Sequence, residues 1–131
     1  MDGNVTSISD DVIEFWTTQK LESLNKFVGK TSEWPWKKYK TAWNQAICAL
    51  VPSKDKKKIK AYTTIISYRN RLLDKENLYG GSKPIRDELQ TLGWIYDDKP
   101  GWGDLTVLQC KVPRKEEKTV IRVWLDVEEE S

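Results

Sequence analysis

The spacing of apolar residues changes several times along the chain, and each change marks an element. Val12-Ile13-Glu14-Phe15-Trp16-Thr17-Thr18 is dense in β-branched and aromatic side chains and predicts a first strand, with a helix capped by Ser9 as the alternative. Over 33–50 the period lengthens. Trp36, Tyr39, Trp43, Ala46 or Ile47, and Leu50 recur at helical spacing, while Lys37, Lys38, Lys40 and Asn44 fall mostly on other faces. This amphipathic helix ends near Pro52. The lysine-rich stretch 53–58 reads as a loop into 59–69, where Tyr62, Thr63, Thr64, Ile65, Ile66 and Tyr68 predict a central strand.

Gly80-Gly81 precedes Ser82-Lys83-Pro84, a helix start with Ser82 as its cap and proline in the first turn. Ile85, Leu89 and Leu92 form the buried stripe of that helix, and Gly93 ends it. The short apolar segment Trp94-Ile95-Tyr96 and the turn-forming run 97–103 lead to two alternating stretches, 105–112 and 119–127. Both read as strands, joined by a charged loop over 113–118. The expected order is β-α-β-α-β-β, with 1–11 a polar leader and 128–131 an acidic tail. A mixed sheet with flanking helices, an α/β (α+β) arrangement in one domain over 1–131, is the simplest packing.

At 131 residues the chain can bury roughly two thirds of its unfolded surface, enough for a core. No apolar run is long enough to cross a bilayer, and the polar, acidic start of the chain does not read as a signal peptide. No membrane association and a cytoplasmic location are therefore expected. There is no His, and Cys48 and Cys110 are the only cysteines. Two reduced core thiols are the expectation for them, and zinc fingers and His-based triads are excluded. Any metal chemistry must use carboxylates, which favour Mg²⁺ or Mn²⁺.

Four acids, Asp126, Glu128, Glu129 and Glu130, sit in the last six residues. The rest of the chain is thus four charges more positive than the net +2. Its cations cluster at Lys37, Lys38 and Lys40, at Lys54, Lys56, Lys57, Lys58 and Lys60, at Arg69 and Arg71, and at Lys111, Arg114, Lys115 and Lys118. Such clusters suit a phosphate backbone, although solvated surface lysines give the same pattern.

In Leu73-Asp74-Lys75-Glu76-Asn77 the two acids lie two apart. If the central strand continues in extended form, both carboxylates point to one side. Asp97-Asp98 follows the short apolar segment, which could bring the chain back to that strand end. Ordinary turn chemistry accounts for the same residues.

The whole segment is more specific than its parts. Leu73-Asp74-Lys75-Glu76-Asn77-Leu78, Gly80-Gly81-Ser82-Lys83-Pro84, Asp87-Glu88-Leu89 and Gly93-Trp94-Ile95-Tyr96-Asp97-Asp98 follow one another at short spacings. This pattern resembles the RusA family of Holliday-junction resolvases, small endodeoxyribonucleases of bacteria and their prophages. The resemblance extends over roughly 12–127, with Ser23-Leu24-Asn25 and the Trp36 to Trp43 region as weaker matches. It implies that Asp74, Glu76 and Asp98 are the catalytic, metal-binding acids, with Asp97 as a further ligand candidate. Lys83 falls on the functional lysine, and Asn77 and Asp87 on supporting positions. One departure is Glu76, where the family's best-known member has aspartate.

The function so implied is Mg²⁺-dependent hydrolysis of phosphodiesters in four-way junctions, by a homodimer making paired nicks in DNA recombination and repair or phage DNA processing. Mn²⁺ is the expected substitute, and no nucleotide cofactor is expected. In that role Lys54, Lys56, Lys57, Lys58, Lys60, Arg69 and Arg71 would contact DNA. Core packing is the default for the seven Trp and five Tyr. Trp36, Trp43 and Trp124 are expected to be buried, while Trp102 and Tyr79 are placed to meet unstacked bases. The alternatives are a branched-DNA-binding domain that keeps the fold without cutting, and a protein-interaction module.

Overall fold

The computed structural model describes residues 3–27, 34–97, 99 and 101–127. Five strands form one mixed sheet: β1 (Gly3–Ile8), β2 (Val12–Thr17), β3 (Ala61–Arg69), β4 (Gly103–Lys111) and β5 (Lys118–Leu125). Their spatial order is β1-β2-β5-β3-β4. Three α-helices accompany them: α1 (Trp34–Leu50), α2 (Lys75–Gly81) and α3 (Lys83–Thr91). The α+β class and the mixed sheet agree with the sequence. The element order does not, because β1 and α2 are additional.

β1 occupies part of what reads as a polar leader. Only Gly3 on it is buried, so the strand has no apolar alternation to reveal it; pairing with β2 at the sheet edge holds it. β3 is central, antiparallel to β5 and parallel to β4. The two strands that follow each other in sequence thus lie on opposite sides of β3.

Alternate residues of β3, from Ala61 through Ile65 to Arg69, are buried. On this face α1 and α3 bring Tyr39, Trp43, Ile47, Ile85 and Leu89 against Ile13, Phe15, Ile121 and Val123. At about 1.5–3 kcal/mol per large side chain, this burial is the main stabilising term. On the other face Trp124 lies half-buried and stacked on Tyr62 at 5.2 Å. Of the three tryptophans expected to be buried, Trp43 is fully so and Trp36 partly. Cys48 and Cys110 are exposed free thiols rather than core residues.

Ser82 does not cap α3 through its side chain. It links the two helices in an α-helical conformation, and its hydroxyl donates to Tyr79 O at 2.6 Å. Gly80 and Gly81 are the end of α2 rather than a turn. A Cβ on Gly81 would stand 2.0 Å from Glu22 O, and one on Gly80 2.6 Å from the Leu24 side chain. The pair exists because the segment after β2 lies directly on α2. Tyr39 clamps the same junction, donating to Gly81 O at 2.6 Å and accepting from Glu22 N at 3.0 Å. Burial pushes its phenol up to about 12, so it stays protonated as a donor. Among the described residues, no helix is long and apolar enough to cross a membrane.

Candidate functional site

The chain leaves β3 at Arg69 and turns over 70–73 before α2 begins. Gln109 on β4 fixes that turn, accepting from Leu73 N at 3.0 Å and donating to Leu73 O at 2.7 Å. Asp74 is then the N-cap of α2. Its Oδ1 accepts from Asn77 N at 2.9 Å and its Oδ2 from Asn77 Nδ2 at 2.6 Å. These bonds, the backbone one first, hold the Asp74 carboxyl below the usual aspartate range. Asn77 Oδ1 in turn accepts from Asn25 N at 2.8 Å. This ties α2 to the short 3-10 turn at Leu24–Lys26.

The extended continuation expected for Asp74 and Glu76 is therefore replaced by a helix. Glu76 lies in the first turn of α2, while Asp74, still in extended conformation, folds its carboxylate over the helix start onto Asn77. Both residues are exposed, and a negative charge in a first turn is favourable.

Asp97, the described member of the second acidic element, does not return to the end of β3. A parallel crossover re-enters the sheet at the opposite end, so Gly103 lies beside Ala61. Ala61 N donates to Trp102 O at 2.8 Å, and Tyr96 meets Trp102 edge-on at 5.0 Å. Asp97 belongs to this end, where its Oδ1 accepts from Lys99 N at 3.1 Å. Asp74 adjoins Leu73, which is fixed to Gln109, six positions further along β4 or about 20 Å of strand. Asp98 lies outside the described residues. Among the described residues, no three Asp, Glu or Cys side chains stand close enough to hold a metal ion. The donors do fit a hard divalent ion in kind: Asp74 and Glu76 offer exposed carboxylate oxygens, and hydrogen bonds favour the ionised form of Asp74.

Lys83 opens α3 and pairs with Asp87 Oδ1 at 3.5 Å, one helical turn on, with both side chains about half exposed. It stands beyond the far end of α2 from Asp74. Within the lysine-rich loop, Lys54 Nζ donates to Asp10 O and lies 4.6 Å from the Trp94 ring. Lys58 lies over Trp102 at 5.6 Å, and Lys60 bonds Asp104 at 3.0 Å. Lys56 and Lys57 are exposed. Arg71 is exposed too, but Arg69 is buried at 6% and its guanidinium has a structural task. Its Nη1 donates to Leu21 O at 2.8 Å and to Ser67 Oγ at 3.3 Å, and its Nε donates to Arg71 O at 2.5 Å. Arg69 is thus no open surface contact. Tyr79 is 48% exposed, with the Arg86 guanidinium 4.9 Å from its ring, and Trp102 is half-buried.

Beside Arg71, the structure adds two cations that are remote in sequence, Lys20 and Arg114; they line one cleft with it. Arg114 belongs to a basic cluster visible in the sequence, whereas nothing local singles out Lys20; the sheet topology alone joins them to Arg71. The chain matches no protein-family model and no curated protein.

Proposed function

We propose that the protein is a Mg²⁺-dependent, structure-selective endodeoxyribonuclease that resolves four-way DNA junctions by paired phosphodiester hydrolysis as a homodimer. Its setting would be DNA recombination and repair or phage DNA processing. The observation that carries this reading is the pair of exposed carboxylates, Asp74 and Glu76, at the start of α2, shortly after the exposed Arg71 in the turn that leaves β3. A domain that only bound DNA would be weakened by ionised acids beside a phosphate backbone. The ordered motif from Leu73 to Asp98, similar to that of RusA-type resolvases, supports the same reading.

In this scheme Asp74 and Glu76 would hold the ion, and Asp98, as the resemblance implies, would complete the site. When bound, Mg²⁺, or Mn²⁺ in its place, supplies an activated water and neutralises charge at the scissile phosphate. Asn77 fixes the Asp74 carboxylate in its ionised form. Lys83, only weakly paired with Asp87 at the surface, would offset phosphate charge from beyond the other end of α2. Lys54, Lys56, Lys57, Lys58, Lys60 and Arg71 hold the DNA arms by charge.

A second reading, a junction-binding domain that does not cut, is favoured by one observation: Asp97 and Asp74 are associated with different ends of β4. Substituting single acids separates the two. Asp74→Asn and Asp98→Asn are expected to abolish nicking of a synthetic junction while leaving its binding intact or tighter. Nicking at the wild-type rate by either variant would remove that residue from the catalytic machinery.

A further inference from the structure

The sheet gathers a second charged feature at the end where β2, β3 and β4 all terminate and β5 begins. Lys20, Arg69, Asn70, Arg71, Arg114 and Glu117 line a cleft of about 510 Å³ there. They come from the segment after β2, the end of β3 and the β4–β5 connection. The cleft thus lies outside the carboxyl ends of the parallel strands β3 and β4, where open α/β sheets commonly bind ligands.

Four cations face one acid in this cleft, and that acid is already engaged. Glu117 Oε2 accepts from Asn70 N at 3.0 Å and from Lys20 Nζ at 3.1 Å. The Asn70 bond, then the Lys20 bond, hold the Glu117 carboxyl below its ordinary range. The charges of Arg71 and Arg114 are left for an incoming anion, while Arg69 already feels Glu22 and Glu117. Arg69 supplies a fixed charge in the wall, anchored by its bonds to Leu21, Ser67 and Arg71. Its burial works against its own charged form, a penalty that an anion in the cleft would relieve. Arg71 and Arg114 are exposed, so they can fold onto a ligand; guanidinium groups suit phosphate oxygens through paired donors.

We infer that this cleft seats backbone phosphates of the DNA strand whose neighbouring phosphodiester lies at Asp74. The inference rests on the nuclease reading for the identity of the ligand, and it is favoured over a small-anion site by two features. The cleft is open, and Arg71 stands only three residues before Asp74, so one strand can meet both.

The full-length protein is titrated with a fluorescein-labelled four-way junction in EDTA, where cutting plays no part, over a range of NaCl concentrations. The double variant Arg71→Ala/Arg114→Ala, checked for folding by circular dichroism, is expected to bind about tenfold more weakly at 0.1 M salt. Its plot of log K against log salt should be shallower by about two, one counterion for each lost phosphate contact. Glu117→Gln is expected to tighten binding, since it removes the cleft's one negative charge. Unchanged affinity and slope in the double variant would overturn the inference. So would inorganic phosphate giving a calorimetric binding signal that the double variant loses while it still binds the junction normally, which marks a small-anion site. A wild type that binds junctions through the cleft but never cuts leaves the inference standing and sinks the nuclease reading. A wild type that cuts, with a double variant that binds normally, does the reverse.

Discussion

Asp74 has a structural task before any chemistry: its carboxylate accepts both donors offered by Asn77 and starts α2. Asparagine caps a helix about as well as aspartate, and alanine does not. Asp74→Asn keeps an acceptor for Asn77 N but sets an amide N–H against Asn77 Nδ2, so it should lower the melting temperature, and Asp74→Ala should lower it further. The cap also carries a pH signature. Because the folded carboxyl sits below its usual range, its contribution is present above the ordinary aspartate range and is lost as pH falls through the lower, folded value. Asp74→Asn should flatten that acid limb in a series of melting curves. Equal melting temperatures for the two variants would mean that the cap contributes nothing. The motif marks Asp74 in the sequence as a candidate for chemistry. Its role as a cap was hidden, because an acid-x-acid pair reads equally well as a strand end.

The long elements could be read directly. β3 and α1 lie where periodicity predicts them, because each buries one regular face. α2 escaped because it is one short helix with a single large buried side chain, Leu78, and two glycines that resemble a turn. Those glycines answer to a contact from distant sequence: Glu22 O occupies the space a Cβ on Gly81 would need. Gly81→Ala should therefore destabilise the protein by about 1–3 kcal/mol through overpacking, read as a lower urea midpoint with an unchanged slope. A variant as stable as the wild type would show that the 21–25 segment can move off α2. The flanking of β3 by β4 on one side and β5 on the other was equally hidden, since either strand could pair with the other from its own pattern.

At the scale of the whole molecule, basic residues occupy both ends of the sheet. Lys56 and Lys57 lie in the loop before β3 begins, and the cleft with Arg71 and Arg114 lies where β3 ends. A junction presents several duplex arms, and two separated basic surfaces suit it better than one. Lys56→Ala/Lys57→Ala/Lys58→Ala should weaken junction binding and reduce the salt slope by up to about three; an unchanged slope would remove that loop from the interface. Neither surface was fully legible in the sequence. Arg69 reads as one of a pair of DNA-facing arginines, yet it is buried and braces Leu21, while Lys20 and Arg114 join the cleft only through the topology.

The central claim is that the acids at the start of α2 serve phosphodiester hydrolysis, and one measurement addresses it most directly. Purified wild-type protein is incubated with a synthetic four-way junction across Mg²⁺ and Mn²⁺ titrations, and the strands are resolved on a denaturing gel. The expected result is metal-dependent, paired nicking close to the crossover. Binding of the junction with every strand left intact at all metal concentrations would contradict it.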